Sequence, residues 1–247
     1  MKALILAAGR GSRMGNLTEA MPKCMTVLAG KRLIDWQLEA LRGAGIDKIG
    51  IVRGYKAEVL AFADVETFEN PRWFETNMVM SLMQAAPWMR DDVCIVSYSD
   101  IVYPSAIVAK LMTAEAPISI AYDLNWLTLW QERFANPLSD AETFRLSGQS
   151  RLVEIGNKPN TLAEVQGQYM GLLRFTPEGW ETVDRYLQTL PQSVKDKLDM
   201  TTLLRSLLQE KIEIRAVPIR DPWFEIDSES DLRRYEERLA LTGGKPW

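Results

Sequence analysis

The chain has 247 residues, of which 47% are hydrophobic, and a formal net charge of −4 at pH 7. This is enough apolar material for one large domain with a sizeable core, and the acidic balance argues against a protein that binds nucleic acid or a membrane surface. The sequence contains no histidine, which excludes Ser-His-Asp and Cys-His catalysis and zinc held by histidine.

Cysteine usage and the N-terminal residues indicate a cytoplasmic protein. Cys24 and Cys94 lie far apart and give no disulfide framework, so we expect both to be small core residues. The N-terminal residues lack the apolar stretch and cleavage site of a secretory signal, and no run is long enough to span a bilayer. Because the sequence has no histidine, any chemistry must use carboxylates, Lys and Arg, with a hard cation such as Mg²⁺ as the metal.

The first predicted element is an apolar strand that opens into a glycine-rich loop. Residues 4–8 are typical of a buried parallel strand, and Gly9-Arg10-Gly11-Ser12-Arg13 follows it. Glycines let the backbone pass close to a ligand, and turned backbone N–H groups form a concave anion site. With Arg13 and Lys23 as neighbouring cations, this loop is predicted to hold a triphosphate.

The elements that follow alternate between helix and strand. The pattern predicts helices over residues 33–44, 57–63, 77–88 and 104–113, and strands over residues 48–52, 65–68, 93–98 and 118–122. This order predicts an α/β fold, a Rossmann-like and mostly parallel sheet wrapped by helices. Because ligands of such sheets bind beyond the carboxyl ends of the strands, Gly9, Gly54 and Asp100 are expected at the site.

Residues 123–175 differ in texture from the rest of the chain. Residues 125–134 are rich in aromatic side chains, a hairpin is predicted from residues 144–146 and 152–155, and a strand covers residues 168–175. We expect this segment to form a small inserted β-rich lobe over the open end of the sheet, within a single domain of residues 1–247. Helices over 177–187 and 201–209, a strand over 212–218 and a last helix from Ser228 complete the chain.

Two acidic residues at the ends of predicted strands are candidate metal ligands. Asp100 follows the apolar strand 93–98, and Asp227 lies at the junction between a short apolar run and the last helix. Two carboxylates can share a Mg²⁺ ion with the phosphate oxygens of a substrate. The alternative roles are a helix cap for Asp227 and a plain loop position for Asp100.

The first motif, L-x-A-A-G-x-G-x-R followed by Pro22-Lys23, resembles the nucleotidyltransferase family, which joins a nucleoside triphosphate to a phosphorylated small molecule. The resemblance implies that Lys23 and Arg13 act on the phosphates and that Asp100 and Asp227 hold Mg²⁺. The nucleotide-binding residues that we predict on this basis are Ala7, Ala8, Gly9, Gly11, Ser12, Gly54, Asn77 and Ser81. A dinucleotide-binding loop is disfavoured, because the run Gly9, Gly11, Gly15 is one residue too long for that fingerprint.

Other segments resemble the cytidylyltransferase branch of this family: Gly54-Tyr55, Asn77-Met78 with Ser81-Leu82, and Glu225-x-Asp227. That branch acts on phosphocholine, 2-aminoethylphosphonate and phosphorylated amino-acid amides such as phosphoglutamine, in surface polysaccharide or phosphonate biosynthesis. The resemblance implies transfer of CMP from CTP to such an acceptor, with release of pyrophosphate. Two alternatives are a sugar-1-phosphate uridylyl- or thymidylyltransferase and a catalytically inactive, nucleotide-binding regulatory subunit.

The predicted acceptor site combines aromatic rings and acids, because an ammonium group is attracted to both. Core packing is the alternative role of the tryptophans among them. CTP and a small phosphorylated acceptor are the expected partners, and a homodimer is left open. The predicted acceptor-binding residues are Trp126, Trp130, Asp140, Glu142, Lys158, which would meet the acceptor phosphate, Tyr169 and Trp223.

Overall fold

The computed structural model describes residues 1–148 and 150–241 of the chain. Its strands are β1 (Lys2–Ala7), β2 (Val27–Leu28), β3 (Lys31–Arg32), β4 (Lys48–Arg53), β5 (Glu66–Glu69), β6 (Cys94–Tyr98), β7 (Ile101–Val102), β8 (Ile118–Asp123), β9 (Phe144–Ser147), β10 (Arg151–Ile155), β11 (Gln168–Phe175), β12 (Arg215–Ile219) and β13 (Phe224–Glu225). Its helices are α1 (Leu33–Gly43), α2 (Met78–Gln84), α3 (Ala86–Asp91), α4 (Ser105–Met112), α5 (Trp126–Arg133), α6 (Pro177–Thr189), α7 (Gln192–Lys195), α8 (Met200–Gln209) and α9 (Glu229–Leu241).

Nine of these strands form one sheet in the order β5-β4-β1-β6-β11-β8-β12-β10-β9. Strands β5, β4, β1 and β6 are parallel to one another, and β8 is parallel to β12. Strand β11 runs antiparallel to both of its neighbours, and the hairpin β9-β10 forms one edge. The predicted α/β fold with a mostly parallel sheet is confirmed.

Strand β1 supplies both faces of the core, which explains why its sequence is almost entirely apolar. Ala3, Ile5 and Ala7 pack into one cluster with residues of α1, α4, α5 and α9. Leu4 and Leu6 pack into the other cluster with residues of α2, α3, α6 and α8. Both cysteines are free and buried, as expected. Within residues 1–148 and 150–241, no helix has the length and apolar character needed to cross a membrane.

The helix predicted over residues 77–88 is two helices. Asn77 caps α2, since its side chain accepts a hydrogen bond from the Met78 N–H at 2.7 Å. Pro87 lies in the first turn of α3, where it needs no N–H partner, whereas it would interrupt one continuous helix. Residues 57–63, also predicted as a helix, contain only the 3-10 turn Ala57–Val59.

The segment 123–175, predicted to be an inserted lobe, contributes its strands to the large sheet. Strand β11 lies between β6 and β8, near the middle of the sheet, and all of its residues but one are buried. The hairpin β9-β10 extends the sheet edge. Helix α5 covers most of the aromatic-rich run 125–134, for which the sequence predicts no element, and begins soon after the carboxyl end of β8.

Candidate active site

The site lies where β1 and β6, which are parallel neighbours, end at the same edge of the sheet. The glycine-rich loop follows β1, and Asp100 follows β6. The short antiparallel pair β7-β13 brings the C-terminal part of the chain to this edge, with Glu225 opposite Ile101. The Ile226 N–H donates to the Asp100 carbonyl at 2.9 Å, so the next residue, Asp227, lies beside Asp100.

Lys23 joins the two acids. Its Nζ donates to Asp100 Oδ2 at 2.8 Å and to Asp227 Oδ1 at 2.7 Å, and its side chain is only 8% exposed. Burial alone would lower the pKa of Lys23, but the charges and hydrogen bonds of the two carboxylates outweigh it and raise the pKa above the ordinary lysine value. In this structure Lys23 is therefore a charged ammonium between the two predicted metal ligands.

Arg13 approaches the same carboxylate from the solvent side. Its Nη2 lies 3.0 Å from Asp227 Oδ1 and its Nη1 lies 3.2 Å from Oδ2, while 71% of its side chain is exposed. Burial alone would raise the pKa of Asp227, but Lys23, Arg13 and Arg133 together hold it below the usual value. Asp227 is thus ionised, and the exposed Arg13 is free to turn towards a phosphate.

Gly9 and Gly11 are each suited to their place in the loop for a different structural reason. Gly11 has φ +72°, and a Cβ there would lie 2.7 Å from Lys23 Cβ, so any side chain would displace the lysine stem. A Cβ on Gly9 would meet no described atom within 4 Å. Its backbone therefore faces open space, as the predicted contact with phosphates requires. Ser12, also predicted to bind nucleotide, begins the 3-10 segment Ser12–Thr18 and is exposed.

A cavity of about 130 Å³ adjoins Gly9. The Asn70 side chain fixes its polar wall by donating to Thr76 Oγ1 at 2.9 Å and to Ser81 Oγ at 3.0 Å. Gly54 stands behind the cavity, since a Cβ there would lie 2.5 Å from Trp73 Cβ. Ala7 lies just outside as the buried last residue of β1. The lining residues, four of them predicted to bind nucleotide, are Leu6, Ala8, Gly9, Trp73, Thr76, Asn77, Met78 and Ser81.

The three tryptophans predicted to flank the acceptor are core residues. Trp126, Trp130 and Trp223 are 5%, 4% and 3% exposed, and the rings of Trp126 and Trp223 lie 6.1 and 6.5 Å from that of Trp130. The Trp223 indole donates to Asp123 Oδ2 at 3.0 Å. Mutual packing leaves these rings almost no surface for an acceptor, so the alternative role, core packing, describes them.

Asp140 and Lys158 both fix the loop between α5 and β9. Asp140 Oδ2 accepts a hydrogen bond from Trp130 Nε1 at 3.1 Å. Lys158 Nζ donates to the carbonyls of Leu138 and Ser139. These contacts give the two residues a role in holding the loop, and the predicted contact of Lys158 with an acceptor phosphate would require it to leave the carbonyls.

Glu142 and Tyr169 remain as acceptor candidates near the reaction edge. The Gln168 side chain holds Glu142 beside Tyr169, with Nε2 donating to the Glu142 carbonyl at 2.6 Å. The Tyr169 ring meets that of Tyr98, the last residue of β6, edge to face at 5.8 Å. Burial first, and then the charges of Asp199 and Asp140, raise the pKa of Glu142. This corner combines aromatic edges with negative charge.

Comparison with known proteins gives the family. The sequence profile of the MobA-like NTP transferase domain matches residues 3–154. The chain belongs to this family. It is 38% identical over 249 residues to the CTP:phosphoglutamine cytidylyltransferase of Campylobacter jejuni, and the match covers 94% of this chain and 98% of that protein. It is 30% identical to the 2-aminoethylphosphonate cytidylyltransferase of Lancefieldella rimae over 105 residues, 40% of this chain and 43% of that protein.

A solved structure has the same fold as this NTP transferase. The inositol-1-phosphate CTP transferase from T. maritima matches it with a TM-score of 0.74 at 18% identity, over 96% of each chain. The predicted resemblance to the nucleotidyltransferase family is confirmed. The family profile and the relative that is 38% identical give nucleotidyl transfer as the class of reaction, and the dinucleotide-binding alternative is wrong.

The acids of this nucleotidyltransferase fit a divalent cation. Asp100 Oδ1 is buried and has no hydrogen-bond partner among the described residues, so one carboxylate oxygen is left for another ligand. No group of three or more potential metal ligands occurs in residues 1–148 and 150–241. Two carboxylates that leave the other positions to water and phosphate suit Mg²⁺, which keeps much of its own hydration shell.

Three residues near the site are not predicted from the sequence. Trp73 lines the cavity, and Tyr98 packs on Tyr169. The third, Arg133, has a side chain that is 1% exposed and reaches Asp227. Its signal is the spacing 126, 130, 133 along α5, because residues four and seven positions apart share a helix face. That spacing places a charge on the face of two buried tryptophans, where only a paired arginine is stable.

Proposed function

We propose that this nucleotidyltransferase transfers CMP from CTP to an amine-bearing phosphate of the phosphoglutamine type, with Mg²⁺ as its metal. The observation that carries the proposal is the similarity to a phosphoglutamine cytidylyltransferase along nearly the whole of both chains. The buried group of Lys23, Asp100 and Asp227 supports an active enzyme over an inactive regulatory subunit. A binding protein without catalysis has no need to keep two acids and a lysine together at such a cost in desolvation.

The reaction requires no general base. An oxygen of the acceptor phosphate attacks the α-phosphorus of CTP in line, the bond from that phosphorus to the bridging oxygen breaks, and pyrophosphate leaves. A phosphate group with a second pKa of about 6 is largely ionised at neutral pH, so its oxygen is already a nucleophile. This agrees with a sequence that contains no histidine.

Catalysis then consists of positioning and charge neutralisation. Lys23 and Arg13, which contact Asp227 in this structure, would turn to the phosphates of CTP and neutralise the charge that moves onto pyrophosphate. Asp100 and Asp227 would hold Mg²⁺. When bound, the ion would draw charge from the phosphate oxygens.

The cavity beside Gly9 is the proposed cytosine site. Trp73 gives it an aromatic wall, and Asn77 and Ser81 give it polar groups. The backbone of Gly9 continues from this cavity towards Lys23, so a base in the cavity would direct its phosphates to the lysine.

The proposed site for the acceptor amine is the corner of Glu142 and Tyr169. All candidate acceptors present a phosphate or phosphonate group to the reaction centre, so discrimination has to come from the other end of the molecule. An ammonium group is stabilised by a carboxylate and by aromatic rings, and both are found here.

The cytoplasmic location and the homodimer stay predictions.

The proposal is tested by measuring pyrophosphate release with each of the four common nucleoside triphosphates against a panel of acceptors. The panel contains phosphoglutamine, phosphocholine, 2-aminoethylphosphonate and glucose 1-phosphate. We expect turnover with CTP, fastest with an amine-bearing acceptor and absent in EDTA. Faster turnover of glucose 1-phosphate would favour the sugar alternative, and no turnover with any pair would favour the inactive regulatory subunit.

A further inference from the structure

Arg133 is a buried guanidinium at the end of α5. Its side chain is 1% exposed, and its guanidinium carbon lies 5.4 Å from the Trp130 ring centroid and 5.0 Å from that of Phe134. A charge buried among aromatic rings is costly unless acids pair with it. The partners of Arg133 therefore determine why it is there.

Its three nitrogens contact three different acids. Nη1 donates to Glu225 Oε2, Nε donates to Asp231 Oδ1 at 3.0 Å, and Nη2 lies 3.5 Å from Asp227 Oδ2. All three acids belong to the short stretch from β13 to the start of α9. The planar guanidinium fork thus fixes one turn of chain around Asp227.

Asp231 extends this control to the main chain of Asp227. Asp231 is 5% exposed, and its Oδ2 accepts hydrogen bonds from the Asp227 N–H at 3.2 Å and the Ser228 N–H at 3.0 Å. One oxygen of Asp231 therefore holds the backbone of Asp227 while the other is held by Arg133. Asp227 is therefore held at its backbone by Asp231 and at its carboxylate by Arg133.

The orientation has a consequence for the reaction centre. Asp227 Oδ2 lies 3.5 Å from Nη2 of the buried Arg133 and 3.2 Å from Nη1 of the exposed Arg13. Asp227 Oδ1 accepts a hydrogen bond from Lys23, which also contacts Asp100 Oδ2. With Oδ2 held by Arg133, Oδ1 is left facing Asp100. Asp227 Oδ1 and the Asp100 carboxylate, whose Oδ1 has no hydrogen-bond partner among the described residues, are the groups that would meet a shared cation.

We propose that Arg133 is a positioning residue for Asp227, which presets the distance between the two carboxylates for metal-bound CTP. This rests on the proposed function. Arg133 touches no substrate in this account, and its effect passes through the Asp227 carboxylate. A residue that orients a metal ligand in this way usually contributes about 10–100-fold to metal affinity or activity.

The test compares the binding of Mn²⁺-CTP, followed by water proton relaxation, with the binding of metal-free CTP in EDTA, followed by calorimetry. In Arg133→Met we expect Mn²⁺-CTP affinity to fall about 10–100-fold while the affinity for metal-free CTP stays within about twofold of the wild type. Arg133→Lys keeps the charge but loses the fork, and we expect an intermediate loss. Equal weakening of both ligands, or of neither, would overturn the proposal.

Two further variants separate positioning from charge balance and from fold damage. Arg174→Met removes another buried arginine, one that donates to the Ala116 carbonyl at 2.9 Å near the amino end of β8, and should change neither affinity. Arg133→Met with Glu225→Gln restores the local charge balance, and should stay as weak for Mn²⁺-CTP as Arg133→Met. Full recovery would show that Arg133 only neutralises Glu225, which overturns positioning. A wild type that binds no Mn²⁺-CTP would overturn the proposed function itself.

Discussion

Removing the lysine that joins the two acids should destabilise the protein, and Mg²⁺ should reverse part of the loss. In Lys23→Met the aliphatic stem stays, but Asp100 and Asp227, whose side chains are 21% and 14% exposed, lose the ammonium at 2.8 and 2.7 Å. Breaking a fully buried pair costs about 3–5 kcal/mol, and an exposed one about 0–1 kcal/mol. Because Asp227 keeps Arg13 and Arg133, we expect a loss of about 2–3 kcal/mol in the free energy of unfolding.

The assay is urea unfolding, followed by circular dichroism, of the wild type and the variant in EDTA and in excess Mg²⁺. A cation that binds between the freed carboxylates at ten times its dissociation constant adds about 1.4 kcal/mol. In the wild type without CTP, Lys23 occupies the place between the two acids, so only the variant gains and the gap between the two proteins should narrow by roughly that amount. Lys2→Met is the matched control, since Lys2 is also 8% exposed but its partner Asp91 is 72% exposed. It should lose less and show no response to Mg²⁺. A gap for Lys23→Met that is equal in EDTA and Mg²⁺ would refute the reasoning.

Three other predictions concern the loop, the acid and the acceptor corner. Gly11→Ala should cost about 1–2 kcal/mol of backbone strain and weaken CTP binding in calorimetry, because its Cβ would displace Lys23; unchanged CTP affinity would contradict this. Because the pKa of Asp227 is lowered in the folded protein, its ionised carboxylate stabilises the fold at pH values above the ordinary pKa of 3.8. This stabilisation is lost as the pH falls through the lower pKa of the folded state. The stability gap between wild type and Asp227→Asn in urea should therefore shrink below about pH 4, and a constant gap would count against the pairing. Glu142→Gln and Tyr169→Ala should raise the KM for the acceptor and leave that for CTP nearly unchanged in steady-state kinetics; the reverse would move the acceptor elsewhere.

Strand ends and the family resemblance together predict Lys23, Asp100 and Asp227 in one site. Asp100 and Asp227 follow predicted apolar strands or runs, and parallel strands end at one edge of a sheet, whereas Lys23 is assigned to their site by the resemblance alone. The structure brings the three side chains within hydrogen-bond distance. The need for a glycine at position 11 can also be predicted from the local sequence, because the strain at Gly11 arises within the loop and against Lys23.

Partnerships between distant segments could not be predicted in this way. Strand β11 was recognised as a strand, but nothing in its own residues says that it lies between β6 and β8. The tryptophans were recognised as a group, but whether they face a ligand or one another depends on how α5 packs against the segment at Trp223. Arg133 shows the same limit, since its role depends on acids that lie about ninety positions further along the chain.

The most direct test of the central claim follows the oxygen atoms of the acceptor. Phosphoglutamine labelled with oxygen-18 in its phosphate is incubated with CTP, Mg²⁺ and the protein, and both products are analysed by mass spectrometry. If an acceptor oxygen attacks the α-phosphorus of CTP, all of the label stays in the CMP-linked acceptor and the pyrophosphate is unlabelled. Label in the pyrophosphate, or no CMP-linked product while glucose 1-phosphate is converted, would contradict the account.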